Sequence, residues 1–250
     1  MVFDEYAAYY DLLYRDKDYV KEADYIYSKL KKNGCSDGSI LELGCGTGKH
    51  ADLLSGYEYT VLGIDASVEM LNQAQKLANN NPRLTFRHGD IRKINVHGEF
   101  DACISLFHVM SYINTENDFL QVLTNVNRSL KDGGIFIFDT WYGPAVLSQL
   151  PEVRVKRFSD EVYNITRIAE PVVKERDNIV EVHYDIFVEE HINGIIKEIK
   201  EMHSMRYWFL EEIIRMSKEA GFVCTDDFEF GTDKTLSLDT WGSCFVLKKV

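Results

Sequence analysis

The 250-residue chain predicts an α/β fold on a parallel sheet, with a second, antiparallel sheet carried as an insertion. Three observations lead there. Short apolar runs alternate with amphipathic helical patterns from Ile40 to Trp141, the mark of βαβ units. After Tyr142 the texture turns to period two: Val180, Val182, Tyr184, Ile186 and Val188 share a face opposite Glu181, His183, Asp185 and Glu189, with Phe187 the exception. Between the first apolar run and its helix stands one glycine-rich turn, "ILELGCGTGKHADLL".

In order, Tyr6 to Leu30 reads as one or two helices, with Tyr10, Leu13, Tyr14, Ala23, Ile26, Tyr27 and Leu30 at three- and four-residue steps. "ILEL" is a short buried strand and Lys49 to Leu54 a helix. "YTVLGID" is the next strand, followed by a helix with Met70, Leu71, Ala74 and Leu77 on one face. "LTFRHGD" and "FDACISLF" are strands. Phe119, Val122, Leu123, Val126 and Leu130 mark a helix expected to stop at "KDGG", where glycine supplies a left-handed end. "IFIFDTW" is a further strand and "GPAVLSQLP" a connection. "VRVKRF", "YNITRIAE", "NIVEVHYDIFVEE" and "GIIKEIKEMHSMRYW" follow as strands, with Asn193-Gly194 a hairpin signal between the last two. A helix with Leu210, Ile213, Ile214 and Ser217 on one side ends at Gly221, and "FVCTDDFEF" and "SCFVLKKV" close the chain. The expected division is a Rossmann-like unit, residues 1–142 and 208–250, interrupted by the insertion at 143–207.

Composition narrows the partners. A formal charge of -12 with no basic stripe argues against nucleic acid. No apolar run has the length of a membrane span, and the acidic, aromatic start is unlike a signal peptide. Five scattered cysteines, none paired as C-x-x-C, read as reduced thiols of a cytoplasmic protein, and no histidine spacing suggests a metal site. A small-molecule substrate is the expected partner.

Glycines at 44, 46 and 48 let a ligand approach the backbone beside a helix start. Dinucleotide sites use G-x-G-x-x-G around a pyrophosphate, but here Lys49 stands where the last glycine belongs. Glu42, two residues ahead of the loop, would repel a pyrophosphate and suits an ammonium or sulfonium centre. Asp65 ends the second strand, where it can accept from both ribose hydroxyls. Asp90 ends the third, placed to accept from an adenine amine with Ile91 beside the ring. All three acids fall at carboxyl ends of parallel strands, where open α/β sheets bind ligands. The pattern fits a nucleoside that lacks phosphates.

"LELGCGTG", "GIDASVEML", "GDI", "FDACISLF" and "LKDGGIFIFDTW" resemble, in order and spacing, the successive motifs of the class I S-adenosylmethionine-dependent methyltransferases. The resemblance covers about Ile40 to Trp141. It implies a seven-stranded sheet with an antiparallel last strand, S-adenosylmethionine as cofactor and S-adenosylhomocysteine as product. It also implies a cofactor site from Glu42, Gly44, Cys45, Gly46, Thr47, Gly48, Asp65, Ala66, Met70, Asp90, Ile91, Leu106 and Phe107. A narrower similarity joins "YYDLLYRDKDYVKEA" and the four-stranded insertion to the N-methyltransferases of nucleotide-linked deoxysugar amines. It implies that Tyr10, Tyr14 and Tyr19 lie near the methionine moiety and that two copies associate.

Plainer readings stand beside these. The tyrosines at 6, 9, 10 and 14 fit a packed helix face as well as a cofactor cover. Cys45 reads as a small filler, not a nucleophile. His108 and Tyr14 are the candidate catalytic residues, although His108, like Tyr112, fits a structural role equally. His183 and His203 face either solvent or pocket. The expected activity is methyl transfer to nitrogen or oxygen of a small polar metabolite such as a nucleotide-linked sugar. The competing readings are an NAD(P)-dependent oxidoreductase, which Glu42, Lys49 and the closing strand oppose, and a non-catalytic cofactor-binding partner protein.

Overall fold

The computed structural model describes residues 9–97 and 99–250; Tyr6, assigned to the first helix by its spacing, lies outside them. The strands are β1 (Gly38–Leu43), β2 (Tyr59–Asp65), β3 (Leu84–His88), β4 (Phe100–Ser105), β5 (Leu130–Tyr142), β6 (Arg154–Ser159), β7 (Tyr163–Lys174), β8 (Ile179–Glu190), β9 (Ile196–Trp208), β10 (Phe222–Glu229) and β11 (Gly242–Lys249). The helices are α1 (Tyr10–Leu13), α2 (Tyr19–Lys32), α3 (Lys49–Ser55), α4 (Val68–Ala78), α5 (Glu116–Ser129), α6 (Gly143–Gln149) and α7 (Leu210–Glu219).

Seven strands run in the order β3-β2-β1-β4-β5-β11-β10. The first five are parallel, and β11 is antiparallel to both β5 and β10. Strand order reverses between β1 and β4, so the connections leaving their carboxyl ends part and open a crevice there. Alternation along each strand feeds two cores. Leu41, Leu43, Phe136, Phe138, Phe245 and Leu247 meet Phe119, Val122 and Val126 of α5 and Ile213 and Met216 of α7. On the other face Ile40, Ile135, Ile137, Cys244 and Val246 meet Ile26 and Leu30 of α2 and Ala51 and Leu54 of α3. Each such aliphatic or aromatic side chain stabilises the fold by roughly 1.5–3 kcal/mol when fully buried, so the carboxyl edge of the sheet is rigidly held.

The insertion strands β6 to β9 form an antiparallel meander. It joins the main sheet where Trp141 and Tyr142 of β5 pair in parallel with Tyr207 and Trp208 of β9. One face is covered in two places. Ile165, Ile186, Val188 and Ile199 pack on Tyr10 and Leu13 of α1 and on Met70 of α4, whereas Val180, Val182 and Tyr207 pack on Val146 of α6. The insertion starts and ends at one crossing: a Cβ on Gly143 would sit 2.6 Å from the Phe209 ring. The opposite edge is solvated, with residues 153–157 exposed throughout.

Four local expectations need correction. The α5 helix ends at Ser129, because its C-cap Leu130 is already extended and pairs with Phe100. The left-handed Gly133 (φ +74°) instead shapes a bulge, since Ala102 pairs next with Ile135. The stretch after Tyr142 is not a plain connection; it forms α6, with Pro144 in the first turn, where its missing N–H costs nothing. Ile214 is 43% exposed, and Met216 takes the inward position beside Ile213 and Ser217. The β8–β9 hairpin forms at Asn193-Gly194 but through a longer loop than two residues, closed by Gly194 N–H on the Glu190 carbonyl.

Candidate cofactor and acceptor site

The glycine loop is fixed from below. The Gly44 and Cys45 N–H groups both donate to the Ile64 carbonyl, at 2.7 and 3.1 Å. Gly44, Gly46 and Gly48 have φ of +69°, +54° and +80°, a region costly for other residues. Crowding adds a second reason at two of them. A Cβ on Gly44 would lie 2.5 Å from the Val109 methyls, and one on Gly48 2.7 Å from the Phe86 ring. At Gly46 a Cβ would meet nothing within 4 Å, so this is the open side of the loop. Asp65 braces it, accepting from Gly46 N–H and Ser67 N–H at 2.8 Å each. Burial pushes the Asp65 carboxyl above its ordinary range.

Glu42 is the outlying acid. Its side chain is buried, and among the described residues Oε2 has no hydrogen-bond partner. Burial, and secondarily Asp65, raise its carboxyl to about 8. The His50 Nδ1 is 3.9 Å from Glu42 Oε1, but His50 Nε2 is turned 2.8 Å from Glu22, which also pairs with Lys17. A buried carboxylate short of partners costs free energy that an arriving cation would offset. The residues therefore fit a donor carrying an ammonium and a sulfonium.

The remaining cofactor candidates divide. Asp90 is forked by Arg92, with contacts of 2.7 to 3.1 Å, and that guanidinium holds its carboxyl below the usual range. Ile91 points into the core under α5, Leu106 is buried against the α2–α3 face, and Ala66 is exposed. Met70, Phe107, Tyr10 and Tyr14 come together in one cluster with Ile165 and Ile186 of the insertion. Tyr14 meets Tyr10 at 4.6 Å and Phe107 edge-on at 5.1 Å. Tyr19, at the start of α2, lies against His50 at 5.1 Å, and the Lys17 ammonium sits over both its ring, at 4.9 Å, and the Phe107 ring, at 4.2 Å. Asp11 latches α1 to the loop, 2.8 Å from Lys49 Nζ and 3.3 Å from the Thr47 hydroxyl that donates to it. Cys45 is buried with its thiol pushed up, which suits a filler.

His108 follows β4 in an unusual backbone. Phe107 and His108 have φ of +65° and +62°, two consecutive left-handed residues without glycine. Such conformations cost about 1–3 kcal/mol each and persist only where neighbours hold them. Asp139, buried at the end of β5, does so: both its oxygens accept from His108 N–H, at 3.0 and 3.1 Å, and Oδ2 lies 2.7 Å from the ring Nδ1. Sequence reasoning passed over Asp139, although the rule that selected Glu42, Asp65 and Asp90, an acid at a parallel strand's carboxyl end, applies to it. Arg167 was also missed. Buried on β7, it donates to the Tyr14 hydroxyl at 3.3 Å and lies over the Tyr184 ring at 5.5 Å. His203 is buried and His183 exposed. No helix among the described residues is long and apolar enough to cross a membrane.

A family model described as a methyltransferase domain matches residues 40–134, the stretch from β1 into the start of β5. The putative methyltransferase YqeM of Bacillus subtilis (strain 168) is 30% identical over 224 residues, 89% of this chain and 87% of that protein. The dTDP-3-amino-3,4,6-trideoxy-alpha-D-glucopyranose N,N-dimethyltransferase of Streptomyces venezuelae is 26% identical over 184 residues, 73% of this chain and 76% of that one. Among solved structures, an S-adenosylmethionine-dependent methyltransferase from Clostridium acetobutylicum ATCC 824 superposes with a TM-score of 0.84 at 25% identity, covering 100% of this chain and 99% of that one. Fold and loop define a nucleoside-binding enzyme of the α/β class. The chain belongs to the S-adenosylmethionine-dependent methyltransferases, and the dinucleotide oxidoreductase and non-catalytic readings are set aside.

Proposed function

We propose that the chain methylates an amine nitrogen of a small polar metabolite, a sugar amine being the best fit, held between the carboxyl edge of the sheet and the insertion. The observation that carries this reading is the buried Glu42 side chain behind the glycine loop, with one oxygen unpartnered among the described residues; Tyr14, Arg167 and Tyr184, which meet where α1 packs on the insertion, supply polar groups for an acceptor. Nitrogen is favoured over oxygen because relatives of the chain are named as deoxysugar N,N-dimethyltransferases. In this reading residues 1–142 and 208–250 hold the cofactor and residues 143–207 close over the acceptor.

The roles follow from position. Glu42 takes the methionine ammonium, and the loop from Gly44 to Gly48 passes beneath the cofactor. Asp65 keeps its second lone pairs for the ribose, and Asp90, shared with Arg92, reaches the adenine amine with Ile91 and Ala66 alongside. Met70, Leu106, Phe107, Tyr10 and Tyr19 exclude water. S-adenosylmethionine brings a methyl group already activated on sulfur, so the chain's task is alignment. Tyr14, on the α1 cover, and His108, set by Asp139, are the residues proposed to touch the acceptor.

Calorimetry should detect S-adenosylmethionine and S-adenosylhomocysteine but not NADH. Mass spectrometry with dTDP-3-amino-3,4,6-trideoxy-α-D-glucopyranose, glycine and a matching hydroxy sugar then tests the acceptor. Methylation of the hydroxy sugar alone would defeat the amine reading.

A further inference from the structure

The 3-10 turn after β4 and the last insertion strand are joined by three side chains that the cofactor does not need. The Tyr112 hydroxyl lies 2.8 Å from His203 Nδ1, and His203 Nε2 lies 2.9 Å from Glu201 Oε2. Residues 201 and 203 share a face of β9 because strand side chains alternate. His203 is buried, and its ring lies edge-on to the Tyr184 ring of β8 at 4.8 Å. With the ring neutral, these contacts favour one tautomer. A carboxylate only accepts, so Nε2 carries the ring hydrogen, Nδ1 is bare, and Tyr112 donates its own hydrogen to it. The Tyr112 oxygen is thereby turned into an acceptor toward anything else that reaches it.

The surroundings place this oxygen by the acceptor junction. The Tyr184 ring that stands against His203 at 4.8 Å also lies 5.5 Å from the Arg167 guanidinium, and Arg167 reaches the Tyr14 hydroxyl at 3.3 Å. Tyr14 in turn touches Phe107. The groups around the relay are therefore Tyr14 at the C-terminal cap of α1, Arg167 from β7 and Tyr184 from β8.

The geometry points to Tyr112, His203 and Glu201 as a proton relay that takes the acceptor's proton. It rests on the amine reading above. The nitrogen lone pair forms the new N–CH3 bond as the C–S+ bond breaks and its electrons return to sulfur. The N–H proton passes to the Tyr112 oxygen while Tyr112's own proton passes to His203 Nδ1. The product is a neutral methylated amine, S-adenosylhomocysteine, and an imidazolium held by Glu201, which later yields its proton to water. Tyr112 is the catalytic residue; His203 and Glu201 act through it. Burial pushes the Tyr112 phenol far above its ordinary range, and the relay never requires a free phenolate, since one proton leaves as the other arrives.

A strut between β9 and the turn would share these distances, so the test needs a readout that a strut does not move. Turnover with dTDP-3-amino-3,4,6-trideoxy-α-D-glucopyranose at saturating S-adenosylmethionine is measured from pH 5.5 to 9 for the wild type, Tyr112→Phe and Glu201→Gln. General-base assistance is worth about 10²–10⁴-fold. Tyr112→Phe should therefore lower kcat at least ~10-fold, with S-adenosylhomocysteine affinity unchanged by calorimetry. Glu201→Gln, which can no longer stabilise the imidazolium, should lower kcat and move the acid limb to lower pH. Unchanged kcat and profile in both variants overturns the relay while leaving the amine reading intact. If Tyr112→Phe fails to bind S-adenosylhomocysteine, Glu201→Gln decides alone, an unmoved profile counting against the relay. A wild type that binds the cofactor yet methylates no amine probe defeats the amine reading, and the relay with it.

Discussion

The two sides of the cleft are built in different ways. On the parallel-sheet side, carboxylates lean on nearby backbone: Asp65 on Gly46 and Ser67, Asp139 on the His108 N–H, and Asp90 on the Arg92 N–H beside its guanidinium. Glu42 is the exception, left with one oxygen unpartnered. On the insertion side, polar groups are held by other side chains brought from far along the chain: Tyr112 by His203, Arg167 by Tyr14, and Asn114 by Ser204. Backbone bracing suits a ligand common to a whole family, because main chain survives changes of side chain. Side-chain bracing suits an acceptor that varies, because a single substitution re-aims it.

Removing Asp139 should break the first side most severely. Asp139→Ala leaves the His108 N–H, which anchors the left-handed pair Phe107 and His108, without its acceptor, and about 2–3 kcal/mol of stability should be lost in urea unfolding. Asp139→Asn, which retains one acceptor oxygen, should recover part of it. Equal stability of Asp139→Ala and wild type would mean that the β4 turn is held by something else.

Glu42→Gln comes next. A contact to a charged group is worth about 1.5–3 kcal/mol, so S-adenosylmethionine affinity should fall roughly 10- to 150-fold by calorimetry. The cofactor-free variant should meanwhile melt higher than wild type at pH 8, since an isolated buried charge has gone. A loss of affinity together with a loss of stability would place Glu42 in the scaffold and not opposite the cofactor.

The same residue sets a pH dependence. Its folded-state carboxyl lies near 8, above the ordinary 4.5 expected when unfolded. Its contribution to cofactor-free stability is therefore fully present below about pH 4.5 and is lost as pH rises toward and through 8. Binding of a cation needs the ionised form, so affinity should climb between pH 6 and 8, by up to about tenfold per unit, and level off above. Glu42→Gln should flatten both slopes. A flat wild-type profile would contradict the assignment.

The smallest effect is expected at the latch between the two sides. Asp11→Ala removes a partly exposed contact to Lys49 and Thr47, worth up to about 1 kcal/mol. Cofactor release in stopped flow should quicken by about fivefold or less, with melting temperature unchanged.

The same contrast explains what could be read from the chain alone. Alternation in β8, the helical stripe of α5 and the spacing of the glycine loop are local patterns, and all three elements formed. Ends and short elements went astray because neighbours decide them. Leu130 leaves α5 when β4 offers a strand partner, and α6 forms where Val146 has the insertion to pack against. Asp139 carried the right position, but its role depends on the turn folded over it. The pairing of Tyr112 with His203, ninety-one residues later, had no local signal at all.

By itself, then, the order of residues determined the strand–loop–helix that receives a nucleoside, because backbone conformation at Gly44, Gly46 and Gly48 is governed by the residues themselves and their immediate neighbours. It also determined the parallel sheet and the antiparallel insertion, since each strand's buried face is written in its own alternation. Only the tertiary structure decided which side chains of the insertion meet the sheet's edge, and hence where Tyr14, Arg167 and His203 converge. That depends on how β9 docks beside β5, a long-range ladder of two residue pairs that no short stretch encodes.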